Sequence, residues 1–170
     1  MRLRGHFISW ILVCMAFIFL YSGCRKEVDA GPVAPDFSLP DLSGKMNSLK
    51  QFRGKIVLLD FWATWCPPCR TAIPELVGIQ KEYRDKGIVI LGISLDDPNK
   101  ISNQRLLDFK KQLNINYIIL RFKFELIGDY FGNASPAIPT LFVIDRDGII
   151  KDKIVGFKPG AVEKVIEGLL

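Results

Sequence analysis

The chain has 170 residues, of which 49% are apolar, and it carries four cysteines, one histidine and a net charge of +5. That apolar share is enough for one sizeable core, and four cysteines are too few for a disulfide-stapled mini-domain. Basic residues alternate with acids, as in EYRDKG and IDRDG, without a basic stripe interleaved with aromatics, which argues against a nucleic-acid partner.

The first element is MRLRGH, a positive start, followed by the uncharged run from Phe7 to Tyr21. This pattern predicts an export signal or a short membrane anchor over residues 1–24. Arg2 and Arg4 should stay cytoplasmic, so the rest of the chain is expected on the extracytoplasmic side. Leu20-Tyr21-Ser22-Gly23-Cys24 is similar to a bacterial lipoprotein cleavage box, although Tyr21 stands where an aliphatic residue is usual. Cys24 is therefore the candidate lipidation site, and the alternative is an uncleaved anchor. Cys14, inside the apolar run, reads as a small hydrophobe.

Residues 25–35, RKEVDAGPVAP, read as a linker, and residues 36–170 as one α/β domain. DFSLPDLSGKMNSLK suggests a hairpin around Ser43-Gly44. KIVLLDFWA is a continuous apolar run, expected of a strand buried on both faces. Ile73, Leu76, Ile79, Gln80 and Tyr83 follow helical spacing after it, with Gly87 as the stop. GIVILGISL predicts a second buried strand, PNKISNQRLLDFKKQL a second helix and NYIIL a short strand. FELIGDYFG predicts a helical turn or two. IPTLFVID and GIIKDKIVG predict strands joined at Arg146-Asp147-Gly148, and PGAVEKVIEGLL a closing helix with Pro159 at its start. Such an order gives a parallel layer extended by an antiparallel hairpin, with chemistry expected beyond the carboxyl ends of the central strands.

Cys66 lies just past such an end, in FWATWCPPCR. If a helix starts there, Pro67 and Pro68 occupy its first turn and Cys69 falls on the same face as Cys66. The two sulfurs can then join or separate. Unpaired N–H groups and the helix dipole favour a thiolate on Cys66, and Cys69 can act as the thiol that resolves a mixed disulfide. A purely structural disulfide would close a very short loop and gain little. A zinc site needs about four ligands, and the only histidine is His6. A peroxidatic loop would need a threonine three residues before the cysteine, whereas Thr64 is two before Cys66. Thiol–disulfide exchange is the reading these residues favour.

APDFSLPDLSGK, LKQFRGKIVLLDFWATWCPPCR and AIPTLFVIDRDG together resemble the membrane-anchored thioredoxin-like proteins of the TlpA/ResA type, from about Ala34 to the end. The resemblance implies a thioredoxin fold, α/β. It has a central mixed sheet flanked by helices, an N-terminal β-hairpin extension, and an insertion between the second strand and the cis-proline strand. It also implies that Cys66 attacks and Cys69 resolves. Pro139 is then the cis proline, with Ile138 receiving the substrate strand and Trp65 forming an apolar lip beside the thiols. Asp60, which interrupts the apolar run, is by the same resemblance the proton acceptor for Cys69, raised in pKa by burial. Its other reading is a strand-end acid facing solvent. Many members carry a glutamate three residues after the second cysteine, where this chain has Ala72, and Glu75 is expected to be solvated.

The function so implied is a membrane-tethered thiol–disulfide oxidoreductase of the bacterial cell envelope. It would need no cofactor beyond the Cys66–Cys69 pair. It would reduce disulfides in exported client proteins such as apocytochrome c, with electrons from a membrane dithiol reductant. The alternatives are a thiol peroxidase and a non-catalytic binding module with a thioredoxin shell. The aromatics of RFKFELIGDYFGNASPA are either a partner surface or core.

Overall fold

The computed structural model describes residues 31–170; the expectations for the anchor, Cys14 and Cys24 fall outside the described residues. Among the described residues no helix is long and apolar enough to cross a membrane. The expected hairpin is present as β1 (Ser38–Pro40) paired antiparallel with β2 (Met46–Ser48). Asp41 shapes its turn, accepting from the Ser43 N–H at 2.8 Å and the Lys45 N–H at 3.0 Å.

Five further strands form the main sheet: β3 (Ile56–Trp62), β4 (Ile88–Ser94), β5 (Ile118–Arg121), β6 (Thr140–Ile144) and β7 (Ile150–Val155). Their order is β5-β4-β3-β6-β7. β3, β4 and β5 run parallel, and β6 and β7 are antiparallel additions. Among the described residues four α-helices accompany them: α1 (Pro67–Tyr83), α2 (Asn103–Gln112), α3 (Phe124–Phe131) and α4 (Ala161–Glu167). This is the α/β thioredoxin fold with its mixed sheet and N-terminal hairpin.

All seven residues of β3 are buried, and their alternation divides the core. Ile56, Leu58 and Trp62 join α1 through Cys69, Ile73, Leu76, Ile79 and Tyr83. Val57, Leu59 and Phe61 join the opposite cluster with Leu126, Tyr130 and Phe142. Asp60 shares its parity with Leu58 and Trp62, so the pleat turns it toward the cysteine helix. Gln80 is the one buried polar residue on the apolar stripe of α1. It is satisfied by the Ile88 carbonyl at 3.2 Å and the Ile90 N–H at 2.8 Å.

Gly92 pairs with Asp60 across the β3–β4 ladder. A Cβ there would sit 2.9 Å from Trp62 Nε1 and 3.1 Å from Tyr117 Cε2. Both rings are buried, and Trp62 is stacked on Phe109 at 5.4 Å, so neither can retreat freely. Gly92→Ala is expected to destabilise the fold by about 1–3 kcal/mol through overpacking. Urea denaturation reads this directly, and an unchanged midpoint would contradict the packing described.

Two details differ from the sequence reading, and a third decides between its two alternatives. The closing helix starts at Ala161 with Gly160 as its cap, so Pro159 lies outside it, because Gly160 takes a left-handed φ of 71° that breaks the helix before that point. Residues 32–34, at the end of the stretch read as linker, bond to the β6–β7 turn: Ala34 N–H reaches Gly148 O at 2.9 Å and Ile150 N–H reaches Pro32 O at 2.9 Å. In the aromatic stretch, Tyr130 and Phe131 serve the core. They pack on Phe61 at 5.5 and 5.0 Å, and Tyr130 Oη donates to Pro35 O at 2.8 Å. Among the aromatics of that stretch Phe124 alone is widely exposed, resting edge-on against Phe122.

Candidate active site

The chain leaves β3 at Trp62 and re-enters regular structure at α1 after four intervening residues. Cys66 is the N-cap of α1, with extended backbone angles (φ −92°, ψ 106°). Pro67 and Pro68 take the first two helical positions, where an N–H would have no partner within the helix. The first available donor is therefore the Cys69 N–H, which points at Cys66 Sγ at 3.2 Å. Cys66 and Cys69 are joined in a disulfide. When the bond is reduced, the same N–H and the positive end of the helix dipole favour negative charge on Cys66. Pro74 lies inside α1 without ending it.

Both cysteines are buried, Cys66 at 3% and Cys69 at 1% exposure, so the Cys66 sulfur is less open than its place at a helix tip suggests. Trp65, at 67%, is the exposed aromatic beside it, while Trp62 is wholly core. On the other side the Ile138 carbonyl oxygen lies 3.7 Å from Cys66 Sγ. The Ile138–Pro139 peptide bond is cis. Thr140 Oγ1 braces this segment by donating to Ala137 O at 2.6 Å.

Asp96 holds the loop that delivers Cys66, and nothing in the sequence reading marked it. It is fully buried and accepts from Thr64 N–H at 3.1 Å, Thr64 Oγ1 at 2.7 Å and Ser94 Oγ at 2.9 Å. The only sequence signal is an acid pair, Asp96-Asp97, directly after a buried strand.

Asp60 is 3% exposed, which removes the reading of a solvent-facing acid. Burial alone pushes its pKa up to about 7 from the ordinary 3.8. It borders a cavity of about 30 Å³ together with Ala72, Glu75, Leu76, Pro139 and Lys158. Glu75 is thus half-buried rather than solvated, because Gly160 and Lys158 close over it from the far end of the chain. Its Oε1 accepts the Gly160 N–H at 3.2 Å. Burial raises its pKa; the Gly160 bond opposes that, and the charge of Glu163 adds to it. The arrangement puts a disulfide at a helix start and a buried carboxyl in the strand that packs against that helix.

The AhpC/TSA family profile matches residues 30–153. The chain belongs to the AhpC/TSA family. Within that family it is similar to thioredoxin-like protein YneN of Bacillus subtilis, 38% identical over 80% of this chain and 77% of that protein. It is also similar to thiol-disulfide oxidoreductase ResA of Bacillus cereus, 34% identical over 91% of this chain and 88% of that one. Among solved structures, a thiol:disulfide interchange protein of Chlorobium tepidum superposes with a TM-score of 0.72, at 31% identity, covering 82% of this chain and 96% of that one. This AhpC/TSA member is a thiol–disulfide oxidoreductase of the ResA/TlpA type, and its active-site disulfide is the Cys-x-x-Cys pair described above.

Proposed function

We propose that the protein reduces disulfides in exported client proteins through a Cys66–Cys69 dithiol cycle, tethered to the outer side of a bacterial cytoplasmic membrane. The observation that carries this reading is the Cys69 N–H placed 3.2 Å from Cys66 Sγ at the start of α1, in a protein of this enzyme class. Cys66 attacks the client disulfide as a thiolate, and Cys69 then displaces the client thiol. Asp60 takes the proton that Cys69 loses. Trp65, Pro67, Pro68, Ile138 and Pro139 form the surface on which the client strand rests, with the Ile138 carbonyl offered to its backbone. A membrane dithiol reductant restores the pair, and apocytochrome c is the client type the TlpA/ResA resemblance implies. The anchor is the apolar run from Phe7 to Tyr21 or a lipid on Cys24, and the intact mass of membrane-extracted protein separates the two.

Equilibrating the full chain in thiol redox buffers tests the direction of electron flow. A Cys66–Cys69 couple near about −270 mV or lower supports a reductant, whereas one near about −120 mV overturns it in favour of an oxidant. Hydrogen peroxide turnover faster than reduction of a disulfide peptide would put peroxidase chemistry in its place.

A further inference from the structure

Asp60 can accept a proton from Cys69 only as the carboxylate, so at pH below about 7 it first has to lose the proton it holds. No protein group among the described residues hydrogen-bonds its carboxyl, and only 3% of the residue is exposed. The carboxyl does border the cavity between α1 and the ends of β6 and β7. The side chains of Ala72, Leu76, Pro139, Leu141, Ile154 and Val162 in its wall neither give nor take protons. The ionisable side chains that line it besides Asp60 are Glu75 and Lys158. A lysine ammonium has donors and no acceptor, so it cannot receive a proton, whereas a carboxylate can. The cavity, about 30 Å³, is large enough for one water.

We propose that Glu75 relays the proton between Asp60 and solvent through this cavity, by way of one water. The inference rests on the reductase reading above and deepens it. The Cys69 S–H gives its proton to the Asp60 carboxylate. The Cys69 thiolate attacks Cys66 Sγ, the Cys66–Cys69 bond forms, and the bond from Cys66 to the client sulfur breaks. The electron pair leaves with the client thiolate, which takes a proton from solvent. The Asp60 proton passes to the water, the water gives one to Glu75, and Glu75 releases it to solvent. The backbone bond from Gly160 fixes Glu75 Oε1, and Oε2 accepts no bond among the described residues. Other charged or titratable groups bear on this path from each packed element. Tyr117 stands near Asp60 from the β5 side, Glu163 of α4 lies near Glu75, and Lys158 sits in the cavity wall.

The test is single-turnover reduction of a fluorogenic disulfide peptide by the reduced full chain at pH 6, where Asp60 starts protonated and has to shed that proton before it can accept the one on Cys69, with Glu75→Gln, which keeps an acceptor for Gly160. Glu75→Gln is expected to slow the reaction about tenfold, and added formate is expected to restore the rate, with no such effect on the wild type. In an Asp60→Asn background the same change should cost nothing further, since the relay has lost its source. An unchanged rate in Glu75→Gln overturns the relay, as does a slowing that formate leaves in place or that persists in Asp60→Asn. A wild-type protein that does not cleave the peptide at all would instead sink the reductase reading.

Discussion

A Cys69→Ser variant is expected to stay covalently joined to its client through Cys66, with turnover reduced by roughly a thousandfold or more. The argument is geometric. Cys66 caps α1 and receives the Cys69 N–H, a backbone donor that the serine variant retains. The attacking thiolate therefore keeps its stabilisation and still forms the mixed disulfide. What is lost is the second sulfur that displaces the client. Cys66→Ser should show the same loss of turnover with no adduct, because Cys69 sits one turn inside the helix, behind the N-cap position. Intact mass under non-reducing conditions separates the two cases. An adduct on Cys66→Ser and none on Cys69→Ser would reverse the two roles.

The second large effect belongs to Asp60. Asp60→Asn removes the proposed proton acceptor and is expected to slow release of the client by about a hundredfold near neutral pH. The same substitution should change the dependence of stability on pH. Asp60 is protonated in the fold up to about 7, whereas in the unfolded chain it ionises near 3.8. Its contribution is therefore fully present below 3.8, is lost as pH rises through about 7, and is constant beyond that. At about 1.4 kcal/mol per pH unit, this one residue costs the native state roughly 4 kcal/mol between those limits. Asp60→Asn lacks that loss. The stability difference between variant and wild type should move in favour of the variant by that order from pH 4 to pH 8. Parallel stability curves over this range would contradict a neutral, buried Asp60.

The sequence made the helix face of α1 legible because all five apolar-face positions, Ile73 to Tyr83, repeat at its period and meet one surface. The buried strands were legible for the same reason: apolar runs bounded by glycine leave few other arrangements. The cysteine pair was legible because its neighbours in sequence are its neighbours in space. Asp96 was not. Its partner Thr64 lies 32 positions away, and only strand pairing brings them together. Glu75 was misread from helical geometry alone, because the groups that half-bury it, Gly160 and Lys158, come from a loop near the chain's end. Pro159 suggested a helix start, but the left-handed turn at Gly160 moved the start past it.

The main sheet ends in β5 on one side and β7 on the other, and each outer strand is guarded. Leu120 of β5 is bridged by Asp41 of the hairpin, and β7 presents Lys151, Asp152 and Lys153 along its length. Charges on a rim strand and a cover over the other block end-to-end pairing between copies. At high local concentration the main sheets of neighbouring copies are thereby kept from joining along these rims.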